Sequence, residues 1–360
     1  MTDKRLNFVD MAKGIAIVII VLYHLVAPGV FASILAHLMP GALVLFFFCS
    51  GYFYRPGKRS FQENVTSRAK SLIVPFFKYS LAFWLVGTLY LVITGSAPFV
   101  ETLYCLRNFL GGCIWNRTIQ NWFQWEYYSL GKRYLFLADF WFLIALFFSG
   151  LLFFPVADAT LQSKSRTLLA VAALLTATGL MRGFDVALPY NLQLVPFWSA
   201  IMLLGAFAGR NGLFEIKALS GAAEWGAAIG TLGVGIAVLM LIAPSVNLFR
   251  GSFSDNEVVS MLLLTVSSLL MIWGLGELCK LIELSGARVS ELTWLGTHTM
   301  TFYIFHMFIA WLTSICTGYS LIYGSESSVG LVLQSLLLSC AVFAICAAIA
   351  VIKDRMAQHA

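Results

Sequence analysis

Charged residues are scarce in this chain of 360 residues. They make up 11% of it, whereas hydrophobic residues make up 60%. Soluble domains carry roughly 25% charged residues, so the composition excludes an ordinary water-soluble enzyme and predicts an integral membrane protein. The net charge of +6 is explained by basic loops beside anionic lipid, and it gives no reason to expect nucleic-acid binding.

Several chemical motifs are also missing. The chain has no glycine-rich Walker loop, which leaves ATP hydrolysis without support. Its seven cysteines and five histidines show no metal-ligand spacing, so we expect neither a metal site nor a permanently bound cofactor. Cys105 and Cys113 share a predicted external loop, where they either pair or remain free thiols.

Long hydrophobic runs dominate instead. A membrane-spanning helix needs roughly 20 apolar residues to cross about 30 Å of hydrocarbon. Ten windows meet this length: residues 14–33, 36–54, 72–95, 136–157, 167–185, 192–210, 223–243, 258–276, 297–318 and 329–352. The predicted fold is therefore an all-α polytopic membrane protein, with about ten transmembrane helices in a single domain over residues 1–360 and no separate soluble catalytic domain.

The distribution of Lys and Arg predicts the orientation. Most of these residues fall in the segments on the side of the two termini, so the positive-inside rule puts both termini in the cytoplasm. The first hydrophobic run lacks a signal-peptide cleavage site and is expected to be retained as a helix.

An aromatic stretch lies in the longest predicted external loop, with Trp115, Trp122, Trp125, Tyr127 and Tyr128 close together. Aromatic rings at this density indicate either an interfacial helix at headgroup depth or a platform on which sugar rings stack. Composition alone does not separate these readings.

The first hydrophobic segment, "NFVDMAKGIAIVIIVLYHL", contains an intramembrane histidine. His24 follows Lys13 by eleven helical steps, which is three turns plus about 20° and a rise of about 16.5 Å. The two residues therefore share a helix face, and Asp10 falls near it too. A polar group at the middle of the bilayer faces a cavity or a partner, so His24 is either a helix-packing residue or a catalytic one. Asp10 lies about 21 Å along the axis from His24, too far for contact, and is expected to pair with Lys13 or to hold a substrate at the helix entrance.

A second histidine is predicted at a similar depth. On the ten-helix topology the first and ninth helices run in the same direction, and His306 lies ten residues beyond Gly296. Two imidazoles can then face one central cavity. The alternative is that His306 only forms a hydrogen bond within the helix bundle.

Five motifs in order give the chain a resemblance to a known family. They are "RLNFVDMAKGIAIVIIVLYH", "MPGALVLFFFCSGYFYRP", "RAKSLIVPFF", "FWFLIALFF" and "WLGTHTMTFYIFHMFI". Together they resemble the acyltransferase-3 family of integral membrane acyltransferases, whose first helix carries a basic residue, ten intervening residues and a histidine. The polysaccharide O-acetylating branch is the most similar. One departure is Tyr23, which stands where glycine is common before the histidine.

The resemblance implies a membrane O-acyltransferase. The expected reaction moves acetyl from cytoplasmic acetyl-CoA to a hydroxyl of a surface or lipid-linked glycan, at a bacterial inner membrane. An acyl-CoA donor, a glycan or glycolipid acceptor and the lipid bilayer are the expected partners, and the oligomeric state stays open. Neutral imidazole suits a general base, so His24, with Lys13 and Asp10, forms the predicted catalytic set. The predicted substrate-binding residues are His306, Tyr303, Ser50, Arg55, Arg68, Lys70 and Trp141.

Other interpretations remain at this stage. The basic loop from Arg55 to Lys70 either binds the phosphates of the donor or simply follows the positive-inside rule. Intramembrane histidine and aspartate also mark proton relays, so a transporter or flippase of a lipid-linked glycan is the alternative function. The absence of paired, interrupted half-repeats counts against it. A non-catalytic scaffold fits the ordered polar positions least.

Overall fold

The computed structural model describes residues 6–26, 29–94, 140–184, 186, 188–214, 221–242, 257–287, 289–317 and 329–358. All regular secondary structure in these ranges is helical. The aromatic stretch between Trp115 and Tyr128 and the Cys105–Cys113 pair lie outside the described residues, so both stay predictions.

The chain divides into two compact units, one formed by residues 1–54 and 201–360 and the other by residues 55–200. One boundary between the units follows Tyr54, and the other falls between Ala200 and Ile201, within a helix. In chain order the helices are α1 (Asn7–Leu25), α2 (Val30–Tyr52), α3 (Phe61–Arg68), α4 (Val74–Ile93), α5 (Trp141–Thr160), α6 (Lys164–Gly183), α7 (Val195–Arg210), α8 (Ala222–Ile242), α9 (Glu257–Leu284), α10 (Ser290–Thr297), α11 (Thr299–Thr317) and α12 (Val329–Gln358).

Eight helices in the described part of the chain are long and apolar enough to cross a membrane. The ten predicted windows all correspond to helices, and the two that fall short of this criterion are α6 and α11. In α6, Lys164, Arg166 and Arg182 lie within the helix ends, and in α11 the apolar part is the shorter Thr299–Thr313. The predicted fold class, an all-α polytopic membrane protein, is confirmed.

Two stretches that lie between the predicted hydrophobic windows are largely helical. The segment from Cys279 to Gly296 contains the last turns of α9, which ends at Leu284, and then α10. The segment from Arg55 to Ser71 contains α3, whose first turn is closed by a capping box between Ser60 and Glu63. A π-helical turn, Ala69–Ile73, joins α3 to α4. The polar residues of these two segments are typical of loops. In the structure, capping groups and packing extend the helices into them.

Helix ends come together at one end of the first unit. The backbone N–H of Phe8, in the first turn of α1, donates to Glu283 Oε2 near the end of α9 at 3.1 Å. His298 Nε2 lies 2.9 Å from Asp354 Oδ2, which joins the α10–α11 junction to the C-terminal turns of α12. Gly296 of α10, beside the start of α11, packs against the backbone of Asp10 in α1, so α1 and α11 begin at the same end, and α9 and α12 finish there. This agrees with the predicted parallel direction of the first and ninth spans.

Candidate functional site

His24 and His306 lie side by side in the first unit. Their ring centroids are 5.4 Å apart and the ring planes are inclined by 42°. His24 is half-buried on α1, whereas the side chain of His306 on α11 is fully buried. The two imidazoles are neighbours, as expected from their similar predicted depth, and His24 is the more accessible of the two; the common cavity stays a prediction.

The hydrogen bonds of His306 fix its tautomer. Nδ1 lies 3.0 Å from the Phe302 carbonyl oxygen and 2.9 Å from the Tyr303 carbonyl oxygen. A carbonyl oxygen can only accept, so Nδ1 carries a proton and donates it to these two oxygens. In the neutral ring, Nε2 then holds the lone pair. His306 is thereby locked in one orientation by its own helix.

An apolar shell surrounds the helix faces that carry the two histidines. It includes Val21 and Leu25 on either side of His24 in α1, and Phe302 and Ala310 on either side of His306 in α11; α12 completes it. Because these side chains are close to fully buried, the charge and hydrogen bonding of the imidazoles are screened less than in water. An apolar setting of this kind strengthens electrostatic effects on a reacting group.

Two tyrosines flank the pair. The ring of Tyr23, where the family commonly has glycine, meets the ring of His24 edge-on with centroids 5.0 Å apart. The ring of Tyr303 lies 6.3 Å from that of His306. Tyr303, a predicted substrate-binding residue, thus contacts the site through both its ring and its carbonyl oxygen.

Asp10 and Lys13 form an ion pair at the other end of the same helix. Lys13 Nζ lies 2.7 Å from Asp10 Oδ1, and the side chains are 22% and 7% exposed respectively. The Asp10 side chain is therefore nearly buried, whereas the Lys13 side chain is partly exposed. Since α1 is continuous from Asn7 to Leu25, the pair lies about 16.5 to 21 Å along the axis from His24, and direct contact is excluded as expected.

Close backbone packing sets the position of α1 against α10. A Cβ atom added to Gly14 would collide with the backbone of Leu292, and one added to Gly296 would collide with the backbone of Asp10. Both positions therefore require glycine, because only the absence of a side chain lets the helices approach this closely. The short α10 leads directly into α11, so this contact also sets the distance between His24 and His306.

Other predicted residues show varied environments. Ser50 is half-buried on α2 in the first unit, and in the second unit Arg55 and Lys70 are exposed. Trp141 is buried, with its ring centroid 6.5 Å from that of Trp198, so it packs in the core of the second unit. Their substrate-binding roles stay predictions.

Arg68 is held inside the second unit. Its Nη1 donates to the Leu146 carbonyl oxygen at 3.2 Å, and its guanidinium carbon lies 5.1 Å from the centre of the Phe154 ring. The side chain also passes over Gly150, where a Cβ atom would crowd it. These contacts give Arg68 a packing role in addition to any role in substrate binding.

Three residues at the entrance of α1 were not predicted from the sequence. Leu6, the residue before α1, offers no capping side chain, and Glu283 supplies the missing acceptor to the Phe8 N–H. Gly296 allows the α1–α10 contact, and Lys280 is a nearly buried cation on α9. Glu277, Lys280 and Glu283 repeat at three-residue spacing, which is the signal that α9 continues there as a helix.

The arrangement is suited to proton transfer. A half-buried imidazole lies next to a second imidazole of fixed tautomer, in an apolar setting, and a partly exposed ammonium marks the entrance of the same helix. An activated nucleophile needs a base and a group that orients the base. His24 and His306 are both imidazoles, the side chain that most often serves as a base.

Comparison with known proteins agrees with the sequence motifs. The family model for the acyltransferase-3 type of acyltransferase domain matches residues 6–351, nearly the whole chain. No curated protein and no solved structure matches the chain. The match includes both histidine-bearing helices and the Asp10–Lys13 pair, and the chain belongs to the acyltransferase-3 family of membrane acyltransferases.

Proposed function

We propose that this membrane acyltransferase transfers acetyl from cytoplasmic acetyl-CoA to a hydroxyl of a surface or lipid-linked glycan. The observation that carries the proposal is the pair of imidazoles, His24 and His306, with ring centroids 5.4 Å apart in a chain of this family. The acceptor and the acetyl group come from the resemblance to the polysaccharide O-acetylating branch.

His24 acts as the general base. Its imidazole takes the proton of the acceptor hydroxyl while the hydroxyl oxygen attacks the thioester carbonyl. The tetrahedral intermediate then collapses, the carbon–sulfur bond breaks, and the departing CoA thiolate receives the proton from the His24 imidazolium. The products are an O-acetyl ester and free CoA thiol. His24 is assigned this role because it is the more accessible imidazole.

His306 is a positioning residue. Its Nδ1 is occupied by the carbonyl oxygens of Phe302 and Tyr303, so Nε2 is the nitrogen that can accept a hydrogen bond. An N–H of His24 directed at this nitrogen would leave the other His24 nitrogen to face the substrate. This division of work parallels the base and orienting group of other acyl-transfer sites.

The reaction has two forms that differ in the attacking group. In direct transfer the acceptor hydroxyl attacks the thioester. In the relay form His24 attacks first, an acyl-imidazole forms with release of CoA, and the acceptor hydroxyl then takes the acyl group. A relay would suit a donor and an acceptor that approach from opposite sides of the membrane. CoA release that strictly requires the acceptor would favour direct transfer.

The test is acetylation of glycans by the intact protein. Cells that express the protein should gain one acetyl mass increment per modified hydroxyl on their surface or lipid-linked glycans, measured by mass spectrometry. His24→Ala should remove the increment at equal protein levels. His37→Ala is the matched control, because His37 is a histidine on α2 whose Nδ1 bonds only to the local Ser33 carbonyl oxygen among the described residues.

A purified-protein assay separates the proposal from glycan transport. With acetyl-CoA and extracted lipid-linked glycan, the unchanged protein should release free CoA, and the rate should fall about 10² to 10⁴-fold in His24→Ala. Movement of the glycan across a vesicle membrane with no release of CoA would contradict acyl transfer. Undiminished CoA release by His24→Ala would reject His24 as the base.

A further inference from the structure

Lys280 is a cation that the mechanism above does not use. It lies on α9 and is 7% exposed. Its one hydrogen bond among the described residues goes to Glu277 Oε2 at 3.4 Å, which is longer than the usual 2.7 to 3.2 Å range. An ammonium has three N–H donors, and a buried charge is costly unless it is well paired. Two of its donors are thus without a partner in the described part of the chain.

The position of Lys280 on α9 directs it toward the entrance of α1. Gly276, one turn before it, lines a small apolar cavity together with Phe8 and Ala12 of α1. Glu283, three residues after it, accepts the hydrogen bond of the Phe8 N–H. Residues three and four apart lie on one helix face, so Lys280 belongs to the face of α9 that meets the first turns of α1 at Phe8 and Ala12.

We infer that Lys280 is a phosphate-binding cation, which binds the nucleotide end of the acyl-CoA donor. This inference rests on the proposed function. A CoA molecule carries a pyrophosphate and a further phosphate on the ribose, and one ammonium matches only part of this charge. A phosphate oxygen would complete the hydrogen bonding of Lys280 with charge-assisted bonds.

Binding of CoA and of pantetheine, its fragment without phosphates, tests the inference on the full chain in detergent. Lys280→Met keeps the apolar stem and removes the charge. We expect it to weaken CoA binding on the order of tenfold or more, since each charge-assisted hydrogen bond contributes this much. Pantetheine binding should stay unchanged, and Lys280→Arg should recover most of the CoA affinity.

Glu277→Gln is the matched variant that separates phosphate binding from a structural ion pair. It removes the negative charge beside Lys280 but leaves the ammonium, so CoA should bind more tightly while pantetheine binding stays unchanged. This variant also decides the matter if Lys280→Met does not fold. Equal losses of CoA and pantetheine binding in Lys280→Met and Glu277→Gln would mean that the ion pair is only structural, and would overturn the inference.

Phospholipid headgroups offer the same phosphate chemistry. Native mass spectrometry of the purified protein measures the bound phospholipid. If Lys280→Met loses phospholipid while its CoA affinity equals that of the unchanged protein, the cation serves lipid and the inference fails. A different result, in which the unchanged protein binds CoA no better than pantetheine, would count against the proposed donor itself.

Discussion

Gly296 lies directly against the backbone carbonyl of Asp10, with no room for a Cβ atom between them. The contact joins α10 to α1 and so links the packing at one end of the helix to the spacing of the two imidazoles farther along. Replacement of Gly296 by Ala would force the two backbones apart, and backbone cannot yield as a flexible side chain can.

Gly296→Ala should therefore lower the free energy of unfolding by about 1 to 3 kcal/mol and also reduce acyl transfer. Thermal unfolding in detergent and a CoA-release assay check the two effects. Gly230→Ala is the matched control, since nothing lies within 4 Å of a Cβ atom at Gly230 on α8. Wild-type activity in Gly296→Ala would show that the α1–α10 contact does not control the spacing of His24 and His306 that acyl transfer needs.

His306→Asn tests the positioning role of this histidine. An Asn amide can still donate to the carbonyl oxygens of Phe302 and Tyr303, but it has no counterpart of Nε2. We expect kcat to fall on the order of 10²-fold, because a misplaced base loses the orientation it needs. The KM for acetyl-CoA should change little. A raised KM with kcat intact would assign His306 to substrate binding instead.

Glu283→Leu should destabilise the first unit by about 1 to 2 kcal/mol, because the Phe8 N–H loses its acceptor and no residue of α1 replaces it. Glu283→Gln keeps an acceptor oxygen at the same place and should lose less. Thermal unfolding of the detergent-solubilised protein measures both. Equal stability of the two variants would show that the carboxylate does not cap α1.

Arg68→Met should destabilise the second unit by about 1 to 3 kcal/mol. The substitution keeps part of the apolar stem but removes the hydrogen bond to the Leu146 carbonyl oxygen and the cation–π contact with Phe154. Lys70→Met is the control, because Lys70 is a nearby cation that is exposed. If both variants unfold at the wild-type temperature, the buried contacts of Arg68 contribute nothing measurable.

Helical periodicity was sufficient to predict the relations along α1. The eleven steps from Lys13 to His24 fix their common face and their separation whatever surrounds the helix, so the ion pair with Asp10 and the distance to His24 agree with the structure. The position of His306 near His24 was predicted because the two residues lie at similar depths in helices that run in the same direction. Depth depends mainly on the length of hydrophobic segments, which the sequence displays directly.

Contacts between distant segments were not predicted, because they depend on how helices meet. Nothing near Phe8 in the sequence points to Glu283. Likewise, the sequence shows a glycine at position 296 but not whether another backbone packs against it. The predicted hydrophobic window 258–276 ends before Lys280, because the residues that follow it are more polar. A polar helical turn that is buried has the same hydropathy as a polar turn that is exposed. Only the packing of neighbouring helices decides which of the two it is.

The π-helical turn at Ala69–Ile73 bears on how this chain can change in length. A π turn holds one more residue than the α-helical turn it replaces, so it accommodates a single insertion without rotating the helix on either side. Removal of one residue from this turn would restore a regular helix, with Arg68 and the side chains of α4 still on their present faces. Homologues one residue shorter at this point are thus compatible with the same packing of the second unit.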